Sequence, residues 1–120
     1  MSQTADVVPD RHLHNHFHFI GSIGERDILR YTPAGIPMVA ARLVHRSQQV
    51  EAGINRTVEF DIAALAAGEI AGQFNQADLV GTFRFTGFLA RKNRNSKSLV
   101  FHIADFHGIE RQAEFDSTIN

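Results

Sequence analysis

Apolar and polar positions first alternate over residues 12–19. His12, His14, His16 and His18 fall on one side, and Leu13, Asn15, Phe17 and Phe19 on the other. A period of two predicts a strand. It carries past Gly21 as a bent strand toward Ile28, because glycine inside a strand marks a bulge or a barrel corner. Thr32-Pro33-Ala34-Gly35 has turn chemistry. Met38 to His45 alternates again, with Val39, Ala41 and Leu43 opposite Arg42, Val44 and Arg46. Ser47 to Asn55 is expected to be a polar connection. Val58, Phe60 and Ile62 then alternate with Thr57, Glu59 and Asp61 across a third strand over 56–62. From Ala63 to Phe74 the spacing changes. Ala66, Ile70 and Phe74 stand four apart, which predicts a short helix with one apolar stripe. Thr82 to Ala90 and Leu99 to Phe106 return to period two, separated by the polar basic segment 91–97.

Five strands with a short helix between the third and fourth predict an all-β OB-fold, a five-stranded Greek-key barrel. A sandwich needs about seven strands, and a parallel α/β fold needs a helix after nearly every strand. Residues 1–11 lack a period and contain Pro9, so they are expected to form a flexible arm. The barrel domain is expected over 12–107, followed by a tail over 108–120.

The chain has 120 residues, no cysteine, and 12 Lys+Arg against 13 Asp+Glu. That is one domain's worth of core. Thiol chemistry and disulfides are excluded. The first residues are not expected to be a secretion signal, and no run reaches the ~20 apolar residues of a membrane span. The expected location is the cytoplasm. Net charge near zero names no partner, so the distribution of charge has to.

No acid occurs between Leu79 and Ala104, while Arg84, Arg91, Lys92, Arg94 and Lys97 all do. Four of these fall within seven residues. A cationic hairpin loop between strands 4 and 5 of such a barrel suits a phosphate backbone. Its Asn and Ser residues could add hydrogen bonds to phosphate or base. The competing reading is an ordinary solvated loop. Arg42, Arg46 and Arg56 form a second cationic set around strands 2 and 3, with Arg56 expected near Arg46. Their competing reading is ion pairing with Glu51, Glu59 or Asp61. Exposed rings are scarce. Phe17, Phe19, Phe60, Phe83, Phe85 and Phe101 are assigned to the core, leaving Tyr31, Phe88 and Ile54 for contact with bases.

The histidine row is not expected to make a metal centre. Alternate side chains on a strand stand ~7 Å apart, so four cannot converge on one ion. His45, His102 and His107 are expected to be individual strand-end residues. No GxGxxG, Walker A, HExxH or GxSxG pattern occurs. No enzyme activity, cofactor, metal or small-molecule substrate is expected.

Asn15-His16-Phe17-His18-Phe19-Ile20-Gly21 resembles the first strand of the bacterial primosomal replication protein N (PriB) family. Thr32-Pro33-Ala34-Gly35-Ile36-Pro37, Val44-His45-Arg46-Ser47-Gln48 and Glu51-Ala52-Gly53 are similar to it at further points. So are Gly87-Phe88-Leu89 and Val100-Phe101-His102. The resemblance spans residues 15–106. It implies a homodimeric, non-enzymatic OB-fold that binds single-stranded DNA, associates with the helicase PriA and the loader protein DnaT, and stimulates PriA during replication restart. Arg46, Ser47 and Arg56 match the family's DNA-contacting positions around strands 2 and 3. Lys92, Arg94 and Lys97 match its basic loop, which is two residues shorter here. The aromatic contact positions of the enterobacterial members fall on Ile54 and Glu59. Three readings compete: a primosomal adaptor with negligible DNA affinity, a general strand-coating protein, and a metal enzyme built on the histidine row. The chain ends Asp-Ser-Thr-Ile-Asn rather than in an acidic tail with a terminal aromatic, which disfavours the coating protein.

Overall fold

The computed structural model describes residues 14–109. The expected arm over 1–11, His12 and Leu13, and residues 110–120 of the expected tail lie outside them. The elements are β1 (Phe17–Arg26), β2 (Arg30–Tyr31), β3 (Pro37–Glu51), β4 (Ile54–Ala67), α1 (Glu69–Asn75), β5 (Phe83–Arg91) and β6 (Leu99–Gly108).

One sheet runs in the order β1-β5-β6-β4-β3-β2. β1 closes it. Phe17 to Gly21 pair with β5, and Ser22 to Arg26 pair with β3. The result is a closed barrel of five long strands, with β2 a two-residue flap on the edge of β3. This is the OB-fold topology. Because β2 adds a strand to the count, the helix lies between β4 and β5 rather than between the third and fourth strands.

The change of partner in β1 requires backbones to approach closely. A Cβ on Gly21 would sit 2.3 Å from the Val44 carbonyl oxygen. Gly87 does the same for β5 beside a bulge, where a Cβ would meet the His102 oxygen at 1.9 Å. Val39, Leu43, Ala64, Ala66, Phe83, Phe85, Phe101 and Ile103 fill the barrel, and Phe74 of α1 plugs one end.

Four sequence expectations are corrected. The helix begins at Glu69, not Ala63. Ala63 to Ala67 continue β4, since Ala64 and Ala66 are buried between β3 and β6, and Gly68 at φ 84° ends the strand. Ser47 to Asn55 is not a loop. β3 and β4 pair continuously to Glu51↔Ile54, around a tight turn with Ala52 at φ 55° and Gly53 at φ 77°. The first strand begins at Phe17, not His12. The Asn15 side chain donates to Leu89 O at 2.8 Å and accepts from Leu89 N at 3.0 Å, replacing the next rung of the ladder. His14 and His16 therefore stand outside the strand, and His18 lies within it. Phe17 and Phe60 are not core. They are 47% and 40% exposed, at the open end of a cleft floored by Phe19 and Phe101.

Candidate nucleic-acid interface

The outer face of the sheet is built by register. Ala40 of β3 stands opposite Leu65 of β4, Leu65 beside His102 of β6, and His102 opposite Phe88 of β5. One row on, Arg42 faces Ala63. These rows floor a groove that Arg42 and Lys92 border from opposite sides, with Leu99 and Val100 on its apolar wall. At one end the groove passes over Ala40 and Leu65 into a trough lined by Met38, Arg30 and Tyr31 of the β2 flap, with Asp27 at its edge.

The loop after β5 carries the densest positive charge. Arg91, Lys92, Arg94 and Lys97 are exposed, and none has a carboxylate partner among the described residues. The loop is not a free finger. Lys92 N donates to Ser98 O at 2.9 Å, Ser96 N to Asn93 O, Asn95 N to Asn93 Oδ1 at 2.9 Å, and Ser98 N to Ser96 Oγ at 3.0 Å. Asn93 and Ser96 therefore spend their side-chain oxygens shaping the loop, and the cations are left facing water.

The second cationic set is paired, as the competing reading had it. Arg42 bonds Asp61 at 2.6 Å, Arg46 bonds Glu59 at 3.1 Å, and Arg56 bonds Glu51. All six side chains are about half exposed or more, so each pair contributes only ~0–1 kcal/mol. A phosphate can replace such a carboxylate at small cost. Arg42 and Arg46 share the outer face as period two requires. Arg56 does not join them. It stands opposite Gln49, and by parity on the other face of the hairpin from Arg46.

Ser47 faces inward and is already engaged. Its Oγ lies 2.8 Å from His45 Nε2 and accepts from Gln49 Nε2 at 2.9 Å. His45 is no strand-end residue. Its Nδ1 lies 2.7 Å from Ile20 O, at the point where β1 leaves β5 for β3, and its ring stacks on Phe60. Ile54 sits at the exposed hairpin tip. Arg84 is exposed and unpaired among the described residues. Seven residues of strand, ~23 Å, separate it from Arg91, so it does not join the loop cluster. No group of three or more metal-ligating side chains occurs among the described residues.

Two residues outside the cationic sets line the groove and its trough unforeseen. Arg30 has no carboxylate partner among the described residues. The signal was its place just before Tyr31 and the Thr-Pro-Ala-Gly turn, which puts both at the foot of a hairpin. His102 lies flat against Phe88, ring centroids 4.8 Å apart and 3° from parallel.

A barrel of this topology with a cation-bordered outer groove matches a known class. A family model described as "Another single-strand binding protein family" covers residues 15–105, and the chain belongs to that family. Its similar relatives include the replication restart protein PriB of Nitrosomonas europaea. The two are 41% identical over 85 residues, 71% of this chain and 79% of that protein. PriB of Bordetella pertussis is 39% identical over 75 residues, 62% of this chain and 70% of its own. The solved structure of PriB from Ralstonia solanacearum superposes with a TM-score of 0.73 at 38% identity, covering 80% of this chain and 98% of that one. The single-stranded DNA binding protein from Thermus aquaticus shares the fold. Its TM-score is 0.65 at 22% identity, over 82% of this chain and 52% of its own.

Proposed function

We propose that this protein is a replication-restart accessory factor. It binds single-stranded DNA as a cytoplasmic homodimer, performs no catalysis, and stimulates the helicase PriA in company with DnaT. The observation that carries the DNA part is the unpaired cationic loop at the end of a groove with an apolar floor. Lys92, Arg94 and Lys97 neutralise phosphates, with Arg91 at the loop's base. Arg46 joins them when a phosphate displaces Glu59, and Arg42 when one displaces Asp61. The helicase and loader parts rest on likeness to proteins named for replication restart.

Titration of a labelled oligothymidylate at several salt concentrations tests the reading. Reversing charge at Lys92, Arg94 and Lys97 together is expected to lower affinity and to flatten the salt dependence by ~0.7 in log–log slope for each phosphate no longer neutralised. Unchanged affinity and slope would overturn this mechanism. Stimulation of DNA unwinding by purified PriA tests the helicase part.

The adaptor reading keeps one specific support. Arg42, Arg46 and Arg56 are all neutralised by carboxylates. Capture of PriA or DnaT without DNA, together with absent oligonucleotide binding, would favour it.

A further inference from the structure

We propose that Tyr31 is the base-stacking platform of this protein, an inference that rests on the single-strand-binding reading above. Its ligand class is an unpaired nucleobase of a single-stranded nucleic acid.

Tyr31 is 69% exposed, more than any phenylalanine among the described residues. The other exposed rings are less available. Phe88 has one face covered by His102, and Phe60 has one covered by His45. Phe17 opens onto a narrow cleft among other apolar residues, with no cation on its lining. Tyr31 stacks with no other ring among the described residues, and it lines a trough whose floor is Met38, Ala40 and Leu65.

Its position is preset. Tyr31 pairs with Pro37 and Arg30 with Met38. The turn beyond is fixed by Thr32 N donating to Ile36 O at 2.9 Å and Gly35 N to Thr32 O at 2.8 Å. Little backbone freedom remains for a bound base to remove.

Charge sets the orientation. Arg30 lines the same trough, which continues over Ala40 and Leu65 into the groove where Arg42 and Lys92 stand. Asp27 also lines the trough. Its carboxylate repels phosphate and accepts hydrogen bonds, so base edges turn toward it while the backbone follows Arg30 and Lys92. The stacking contact that Glu59 cannot make is thereby supplied from the β2 flap, across the groove from the basic loop.

The chain supplies its own probe, since it has one tyrosine and no tryptophan. Titrating the full chain with oligothymidylate is expected to quench tyrosine emission in step with binding measured by anisotropy. An abasic strand of equal length is expected to leave emission unchanged. Y31A is expected to weaken thymidylate binding by about 5- to 150-fold, leave abasic binding unchanged, and keep the wild-type melting temperature. Y31F is expected to restore affinity. If Y31A binds thymidylate like wild type while the triple loop reversal abolishes binding, the stacking role is overturned and the proposed function stands. Equal weakening on both strands would make Tyr31 a backbone contact and also overturn stacking. If the wild-type chain binds neither strand, both readings fall.

Discussion

The Arg26 guanidinium reaches from the end of β1 to the C-terminal end of α1, where Nη1 donates to Phe74 O at 2.9 Å and, just past the helix, to Ala77 O at 2.7 Å. Carbonyls at a helix C-terminus lack intrahelical partners, and a cation there also meets the negative end of the helix dipole. This contact fastens the plug that Phe74 drives into the barrel. Arg26→Ala is expected to lower stability by about 2–4 kcal/mol, from two charge-assisted bonds. Urea unfolding measures it. DNA affinity is expected to stay unchanged, because Arg26 lines neither the groove nor the trough.

Gly87 is irreplaceable for steric reasons. A methyl there meets the His102 oxygen at 1.9 Å and the Phe101 ring at 3.1 Å, so neither rotation nor a small shift relieves it. Gly87→Ala is expected to cost about 4 kcal/mol or more, or to leave no soluble fold. Gly72→Ala is the control, since nothing lies within 4 Å of a Cβ at that exposed helical position. It is expected to gain up to about 1 kcal/mol. Thermal melts of the two variants decide the point.

Glu59 neutralises Arg46 across the β3–β4 pair. Glu59→Gln keeps the shape of the side chain and removes its charge. It is expected to tighten single-strand binding by up to about 5-fold, the equivalent of one exposed ion pair. Anisotropy at low salt measures the gain, which is expected to vanish in an Arg46→Ala background.

The Phe88–His102 stack joins β5 to β6 on the outer face. A double-mutant cycle with alanine at both positions is expected to show coupling of about 0.5–1.5 kcal/mol in denaturant unfolding. A coupling near zero would make the pair a mere juxtaposition.

Most of the barrel could be read from alternation where one face is wet and the other buried, as along Phe83–Phe85 and Phe101–Ile103. Where that contrast fails, reading the sequence fails too. The outer half of the β3–β4 hairpin is solvated on both faces, so Ser47 to Asn55 has no apolar rhythm and passes for a loop. Alanine fits a helix and a crowded strand alike, which is why Ala63 to Ala67 misled. The ion pairs of Arg42, Arg46 and Arg56 depended on register, which the tight turn at Ala52-Gly53 sets and composition does not reveal. The loop cations were legible as a run free of acids. The inward use of Asn93 and Ser96 was not, because side-chain bonds to nearby backbone leave no periodic trace.

The split allegiance of β1 has a consequence for synthesis. Phe17 finds its partner at Gly87, seventy residues downstream. At ~5–20 residues per second, a ribosome needs roughly 4–14 s to deliver that partner. Throughout that interval the opening strand has bare amides and carbonyls along one side, which invites pairing with a neighbouring nascent chain. The ring cannot shut before β5 and β6 have left the ribosome, so closure follows the appearance of those two strands.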